Sequence, residues 1–314
     1  MNTLLDWGDG LYAVDSGYLR PRLAAVHFIV DRGRVALVDT GTAASLPRIE
    51  AALAALGLDW TAVDYVFLSH IHLDHAGGAG LLMQRCPQAQ LVVHERGARH
   101  MAEPQKLWAG VVAVYGAERT AELYGQPQAI DPARILACAE DTVLRLGSRE
   151  LLVFDAPGHA RHHLGLLDRY TGGVFTGDAF GLSYRELDRD GLAFAFPTTT
   201  PVQFDPEATH ATIDRIVSFR PPAVYPTHFS RIDDVPRLAD DLHRLIDAHV
   251  ERARAVGGQG YERLRAALDE LLLAEAERQR WPIGHEDLRT LFALDLDLNS
   301  QGLLHWLNTA TASQ

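Results

Sequence analysis

Ser69-His70-Ile71-His72-Leu73-Asp74-His75-Ala76-Gly77-Gly78 follows an apolar run at residues 63–68 and sets the reading of the whole chain. Four metal-capable side chains, His70, His72, Asp74 and His75, fall within six residues. The run before them is short and rich in β-branched and aromatic residues, the signature of a buried strand. A strand there delivers His70 and His72 into a loop, with Asp74 and His75 close behind. Gly77, Gly78 and the apolar residues 79–83 then point to a helix. Imidazoles with a carboxylate suit zinc, iron or manganese, and a loop lets them converge on an ion rather than point along one helix face.

Upstream of this stretch, residues 11–14, 23–30 and 35–39 are strand candidates, and Asp31-Arg32-Gly33-Arg34 supplies hairpin-turn chemistry between the last two. Asp39-Thr40-Gly41 ends the third strand, and residues 43–56 have helical spacing closed by Gly57. Downstream, residues 90–93 read as a strand ending at His94. Residues 95–139 are irregular and helical, with Trp108, Tyr115 and Tyr124 interspersed, and read as an insertion near the mouth of the site. Strand signals return at 142–146, 151–155, 163–168 and 173–176, and again at 223–225 after a helix at 208–219. Strand groups and helices thus occur once in each half, an order that predicts two packed sheets with helices outside. Beyond Pro236 the strand signal stops. Helices are expected at 238–255 and 261–280, separated by Gly257-Gly258-Gln259-Gly260, with shorter ones at 286–292 and 302–307. We expect a catalytic domain over residues 1–236 and a helical extension over 237–314. The extension either covers the active site or mediates self-association into a homo-oligomer.

At 314 residues the chain can bury a sizeable core. The excess of 41 acidic over 29 basic side chains, net −12, and the lack of a basic cluster argue against a nucleic-acid partner. No apolar run approaches membrane-spanning length, and Met1-Asn2-Thr3-Leu4-Leu5-Asp6 lacks the basic and long apolar regions of a signal peptide. Cys86 and Cys138 cannot build a disulfide framework, so reduced thiols and a cytoplasmic location are expected.

Three later segments place a potential ligand just after an apolar run: Pro157-Gly158-His159, Thr176-Gly177-Asp178 and Pro226-Thr227-His228. Singly each is weak, because a His or Asp after a strand is commonplace. Together with the first cluster they are strong, and the chain resembles the metallo-β-lactamase-fold superfamily over roughly residues 11–230. The H-x-H-x-D-H cluster, G-H, G-D and the last His come in the family's order, and Asp39-Thr40-Gly41 matches its early strand-ending motif. Segment order and wording are most similar to the glyoxalase II-like and lactonase-like hydrolase branch.

The resemblance implies an αββα sandwich with a dinuclear site at one edge of its sheets, here followed by a C-terminal helical appendage. Carried over by position, it implies His70, His72 and His159 at one metal, Asp74, His75 and His228 at the other, and Asp178 between them. Two divalent ions are implied, zinc first, with iron or manganese as alternatives. The expected activity is attack of an activated water on the carbonyl of an ester, thioester or lactone small molecule, with Asp74 or Asp178 orienting the nucleophile and carrying its proton. No G-x-S-x-G elbow competes with that reading. Asp39 is the candidate acceptor that fixes a ligand imidazole. His162 and His163 are assigned supporting or structural roles beside His159. Tyr184, in the stretch after Asp178, is a candidate hydrogen-bond donor to substrate, and Trp108, Phe194 and Phe196 are pocket or core. The rivals are an iron-dependent oxidoreductase on the same fold, of di-iron oxygen-reducing or persulfide dioxygenase type, and a metal-bound ligand sensor. The di-iron proteins of this fold carry Glu where this chain has His72.

Overall fold

The computed structural model describes residues 4–200 and 202–312. The first three residues of the chain and the side chain of Tyr115 lie outside the described parts. Seven strands, β1 (Leu5–Asp6), β2 (Leu11–Asp15), β3 (Ala25–Asp31), β4 (Arg34–Val38), β5 (Val63–Phe67), β6 (Gln90–His94) and β7 (Ile135–Cys138), form one sheet in sequence order. Pairing is antiparallel as far as β4 and parallel from β4 to β7. β3 and β4 close on Arg32 and Gly33, both at positive φ, with Asp31 opposite Arg34, so the expected two-residue hairpin turn is present. The second sheet holds β8 (Thr142–Leu146), β9 (Arg149–Asp155), β10 (Leu164–Asp168), β11 (Val174–Gly177) and β12 (Val224–Pro226) in the order β12-β11-β10-β9-β8. Only β11 and β12 pair in parallel there.

Residues of β4 alternate between two cores. Ala36 and Val38 meet Val153, Leu164 and Phe175 between the sheets, while Val35 and Leu37 face outward. The outward face packs on Ile49 and Leu53 of α1 (Leu46–Ala55), Leu82 of α3 (Ala79–Arg85) and Met101 of α4 (Glu95–Ala102). The one-turn α2 (Leu73–Ala76) lies between α1 and α3 in sequence and carries two of the clustered residues, Asp74 and His75. Across the molecule, Phe154, Val174 and Val224 of the second sheet pack on Ile213 and Ile216 of α7 (Pro206–Ser218). Central strands such as β4 and β11 are covered on both faces, whereas β8 at the edge of the second sheet alternates buried and exposed residues. The result is an αββα sandwich with added C-terminal helices.

Those helices are α8 (Val235–Val256), α9 (Tyr261–Gln279), α10 (His285–Leu291) and α11 (Ala293–Ala312). They join the same apolar cluster as α7, through Leu242, Leu245, Leu268 and Leu272. Two sequence expectations change. Residues 95–139 hold α4, α5 (Gln105–Tyr115) and α6 (Ala117–Tyr124), but also β7, which extends the first sheet beside β6. The last helix is 20 residues long rather than a short helix confined to residues 302–307. Gly302 sits inside it because the helix passes directly over the Thr199 carbonyl, where a Cβ would lie 1.7 Å away. The glycine marks close backbone approach, not a helix start. Among the described residues no helix is long and apolar enough to cross a membrane.

Candidate metal centre

Strands of both sheets, among them the antiparallel β9, deliver their C-terminal ends to one edge of the sandwich, where α/β sheets place their ligands. Asp39 follows β4, and Ser69 and His70 follow β5. His159 comes after β9, Asp178 after β11 and His228 after β12. Gly177 permits the approach of the two sheets here. It adopts φ +51, and a Cβ on it would lie 2.5 Å from Ser69 Cβ and 2.7 Å from His163 Nε2.

Two groups of donors result. His72 Nδ1 lies 2.8 Å from His70 Nε2 and 3.1 Å from His159 Nε2, so three imidazole nitrogens converge. Burial holds His70 well below the usual imidazole range, takes His72 down to about 3 and also lowers His159. Burial thus favours the neutral form of all three rings, whose nitrogens converge on one point. Across from them, Asp74 Oδ2 is 3.5 Å from both His75 Nε2 and His228 Nε2. Asp178 stands between the groups. Its Oδ1 is 3.4 Å from His75 Nε2 and 3.6 Å from His228 Nε2, and its Oδ2 is 3.5 Å from His159 Nε2.

The far nitrogens of the rings are anchored. His75 Nδ1 is 2.8 Å from Asp39 Oδ2, His228 Nδ1 donates to the Leu23 carbonyl at 2.7 Å, and His159 Nδ1 meets Thr198 Oγ1 at 3.0 Å. Such anchors fix the ring and its tautomer. Asp39 also receives Ser69 N and Oγ and Thr227 Oγ1, all while fully buried. His163 accepts the Asp178 backbone N–H at 3.1 Å and stacks on His70, so it contacts the cluster from behind. His162 is buried nearby without joining either donor group.

These residues fit a pair of cations. His75 Nε2 and Asp178 Oδ1 are buried, face each other and have no hydrogen-bond partner. Leaving such atoms unmatched is costly unless a positive charge lies among them. The electrostatics agree. Burial opposes charge at His75, yet the carboxylates of Asp178, Asp74 and Asp39 push it up to about 10. Burial likewise opposes charge at Asp74, whose carboxyl His75 and His228 nevertheless hold well below the usual range. Imidazoles with carboxylates suit zinc, iron or manganese alike.

A cavity of about 220 Å³ opens onto His72, Asp74, His159, Asp178 and His228. Tyr184 lines it, but its hydroxyl donates to Asp295 of α11, with 3.0 and 2.9 Å to the two carboxylate oxygens. Trp108, Phe194 and Phe196 pack in the apolar cluster instead, and Leu107 and Val111 of α5 supply the insertion's share of the wall. Sequence reasoning missed Leu294, Asp295 and Leu298. Nothing in a helical repeat marks which turn will face a site, and an Asp on such a helix reads as solvated surface.

A family model described as the metallo-beta-lactamase superfamily matches residues 19–228. A curated relative, the metallo-beta-lactamase fold-containing protein ST1585 of Sulfurisphaera tokodaii, is 24% identical over 273 residues, spanning 83% of this chain and 94% of the relative. The crystal structure of metallo-beta-lactamase family protein TTHA1429 from Thermus thermophilus matches with a TM-score of 0.68 at 23% identity, covering 98% of this chain and 96% of that one. The metal-soaked Flv1 flavodiiron core from Synechocystis matches with a TM-score of 0.55 at 16% identity, covering 80% and 62%. At these identities the structural likenesses speak to the fold.

Proposed function

This chain belongs to the metallo-beta-lactamase superfamily, and from that premise we propose that it is a metal-dependent hydrolase of esters, thioesters or lactones. The observation that carries the reading is Asp178, with one carboxylate oxygen toward His75 and His228 and the other toward His159. One divalent ion would be held by His70, His72 and His159, a second by Asp74, His75 and His228, with Asp178 shared. Bound there, such a pair supplies a water acidified toward neutral pH and a Lewis acid for a carbonyl oxygen.

The chain's own residues do the rest. Asp74 is partly open to the cavity, and its second carboxylate oxygen, the one not facing His75 and His228, can orient the attacking water and carry its proton to the leaving group. Asp178 is nearly closed off and held in place by the His163 contact to its backbone, which suits orientation. Leu23, Leu107 and Val111 keep bulk water from the reacting carbonyl. The donor set leans toward hydrolysis over di-iron redox chemistry because position 72 is a neutral imidazole rather than a further carboxylate.

The test is elemental analysis of freshly purified protein alongside an ester, thioester and lactone panel. We expect two zinc ions per chain, or zinc with manganese or iron, and turnover that chelation abolishes and metal restores. Two iron ions per chain with oxygen consumption and no hydrolysis would replace this reading with the redox one.

A further inference from the structure

The apolar part of the cavity wall comes from three separate parts of the chain. Leu23 follows β2, Leu107 and Val111 lie on α5, and Leu294 and Leu298 lie on α11. Among the described residues that line the cavity, no Lys or Arg occurs. Apart from Asp74 and Asp178, its one acid is Asp295. Arg20 sits behind Tyr184 with its guanidinium 4.4 Å from the ring centroid, and it pairs with Glu186 at 2.6 Å. Of six exposed large apolar side chains among the described residues, Leu294 lines the cavity.

A negative group held against this wall, away from the donor clusters, loses hydration, meets no Lys or Arg among the lining residues and faces the Asp295 carboxyl. Each of these terms is unfavourable, and like-charge juxtaposition is a general means of rejecting wrong ligands. The wall already disfavours negative charge on Asp295 itself, since burial there pushes that carboxyl up to about 6.

We propose that the cavity selects substrates whose portion remote from the reacting carbonyl is uncharged and apolar, and that Asp295 is the specificity residue rejecting anions. The inference rests on the hydrolase reading for what reacts, and on the cavity wall for what is admitted. It favours alkyl or aryl esters and lactones over thioesters built on carriers that bring carboxylates or phosphates into the pocket.

The experiment uses the full-length, metal-loaded protein and two hydroxamates of equal length, one ending in methyl and one in carboxylate. The hydroxamate anchors both compounds at the metals, so the far end reports on the wall. Calorimetry should show the methyl compound binding at least about tenfold tighter, the scale of a like-charge penalty. Asp295→Asn should narrow that gap by strengthening the carboxylate compound. Leu294→Lys, at an exposed position on the rim, should narrow it too and guards against a folding defect at Asp295. Equal affinities, tighter binding of the carboxylate compound, no binding of either, or a gap that neither variant moves would overturn the proposal. A matched pair of esters with one leaving group separates the two readings. Turnover without charge discrimination removes this inference and leaves the hydrolase. Charge-selective binding without turnover of any carbonyl substrate does the reverse.

Discussion

Asp39 shows how much of the centre depends on one side chain outside the two donor groups. It sits at φ +59, an uncommon backbone state that Asp tolerates better than most residues. From there its carboxylate gathers Ser69 after β5, Thr227 after β12 and His75 from α2. Replacing it with Ala strands buried donors and frees the His75 ring. Loss of such a ring anchor typically costs about 10- to 100-fold in metal affinity. We expect Asp39→Ala to fall in that range in a chelator competition, with a lower Tm, and Asp39→Asn to lose less because it retains an acceptor. Unchanged metal affinity in the Ala variant would remove Asp39 from the account. This residue was readable in the sequence because a strand end followed by Asp-Thr-Gly is a local pattern. His70, His72, Asp74 and His75 were readable because they cluster within six residues, whereas His159, Asp178 and His228, each weak alone after a strand signal, were readable only through the family resemblance that ordered them. Asp295 had no such signal.

At the scale of elements, regular strands and amphipathic helices were visible because burial on one or both faces writes itself into local periodicity. β7 was not. Its four residues close a long helical insertion, and only its neighbour β6 makes a strand of them. Helix α8 carries a testable burden of another kind. His249 is buried there, its Nδ1 donates to the Leu245 carbonyl at 2.7 Å, and its ring meets the Phe196 ring edge to face. Burial pushes its pKa down to about 4 from an ordinary 6.5. The native state therefore refuses a proton that the unfolded chain accepts below about pH 6.5. Stability is intact above that pH and falls as pH drops toward 4, by about 3 kcal/mol for this one group. His27 on β3, also pushed to about 4 by burial, adds a contribution of the same sign. Urea midpoints measured from pH 7.5 to 4.5 should decline less steeply for His249→Gln than for the parent, even if the variant starts lower. Parallel declines would mean that His249 accepts its proton without cost.

The whole molecule raises the question of whether the C-terminal helices can be separated from the sandwich. Leu238, Leu242, Leu245 and Ile246 of α8 and Leu264, Leu268 and Leu272 of α9 are almost fully buried. They share a single apolar cluster with Phe180, Phe196 and Phe204 from the stretch after β11 and with Ile213 and Ile216 of α7. Burying a side chain of this size contributes about 1.5–3 kcal/mol. Seven of them therefore match or exceed the roughly 5–15 kcal/mol by which a domain is stable at all. Helix α11 of the same extension reaches the edge that holds the donor clusters. Tyr184 donates to Asp295, Asn299 Oδ1 accepts the Thr199 N–H at 2.7 Å, and Thr198 next to it holds His159. A chain ending at Pro236 would expose the Phe180, Phe196 and Ile213 surface and loosen the loop that steadies His159. We expect that truncation to accumulate as aggregate or as soluble oligomers that bind an apolar dye, with metal content below that of the full chain. A monomeric truncate that unfolds cooperatively, holds its metal and keeps its kcat/KM would show that the sandwich stands alone. The apolar cluster would then have to reseal over the gap, and Asp295 could not be the residue that sets what enters the cavity.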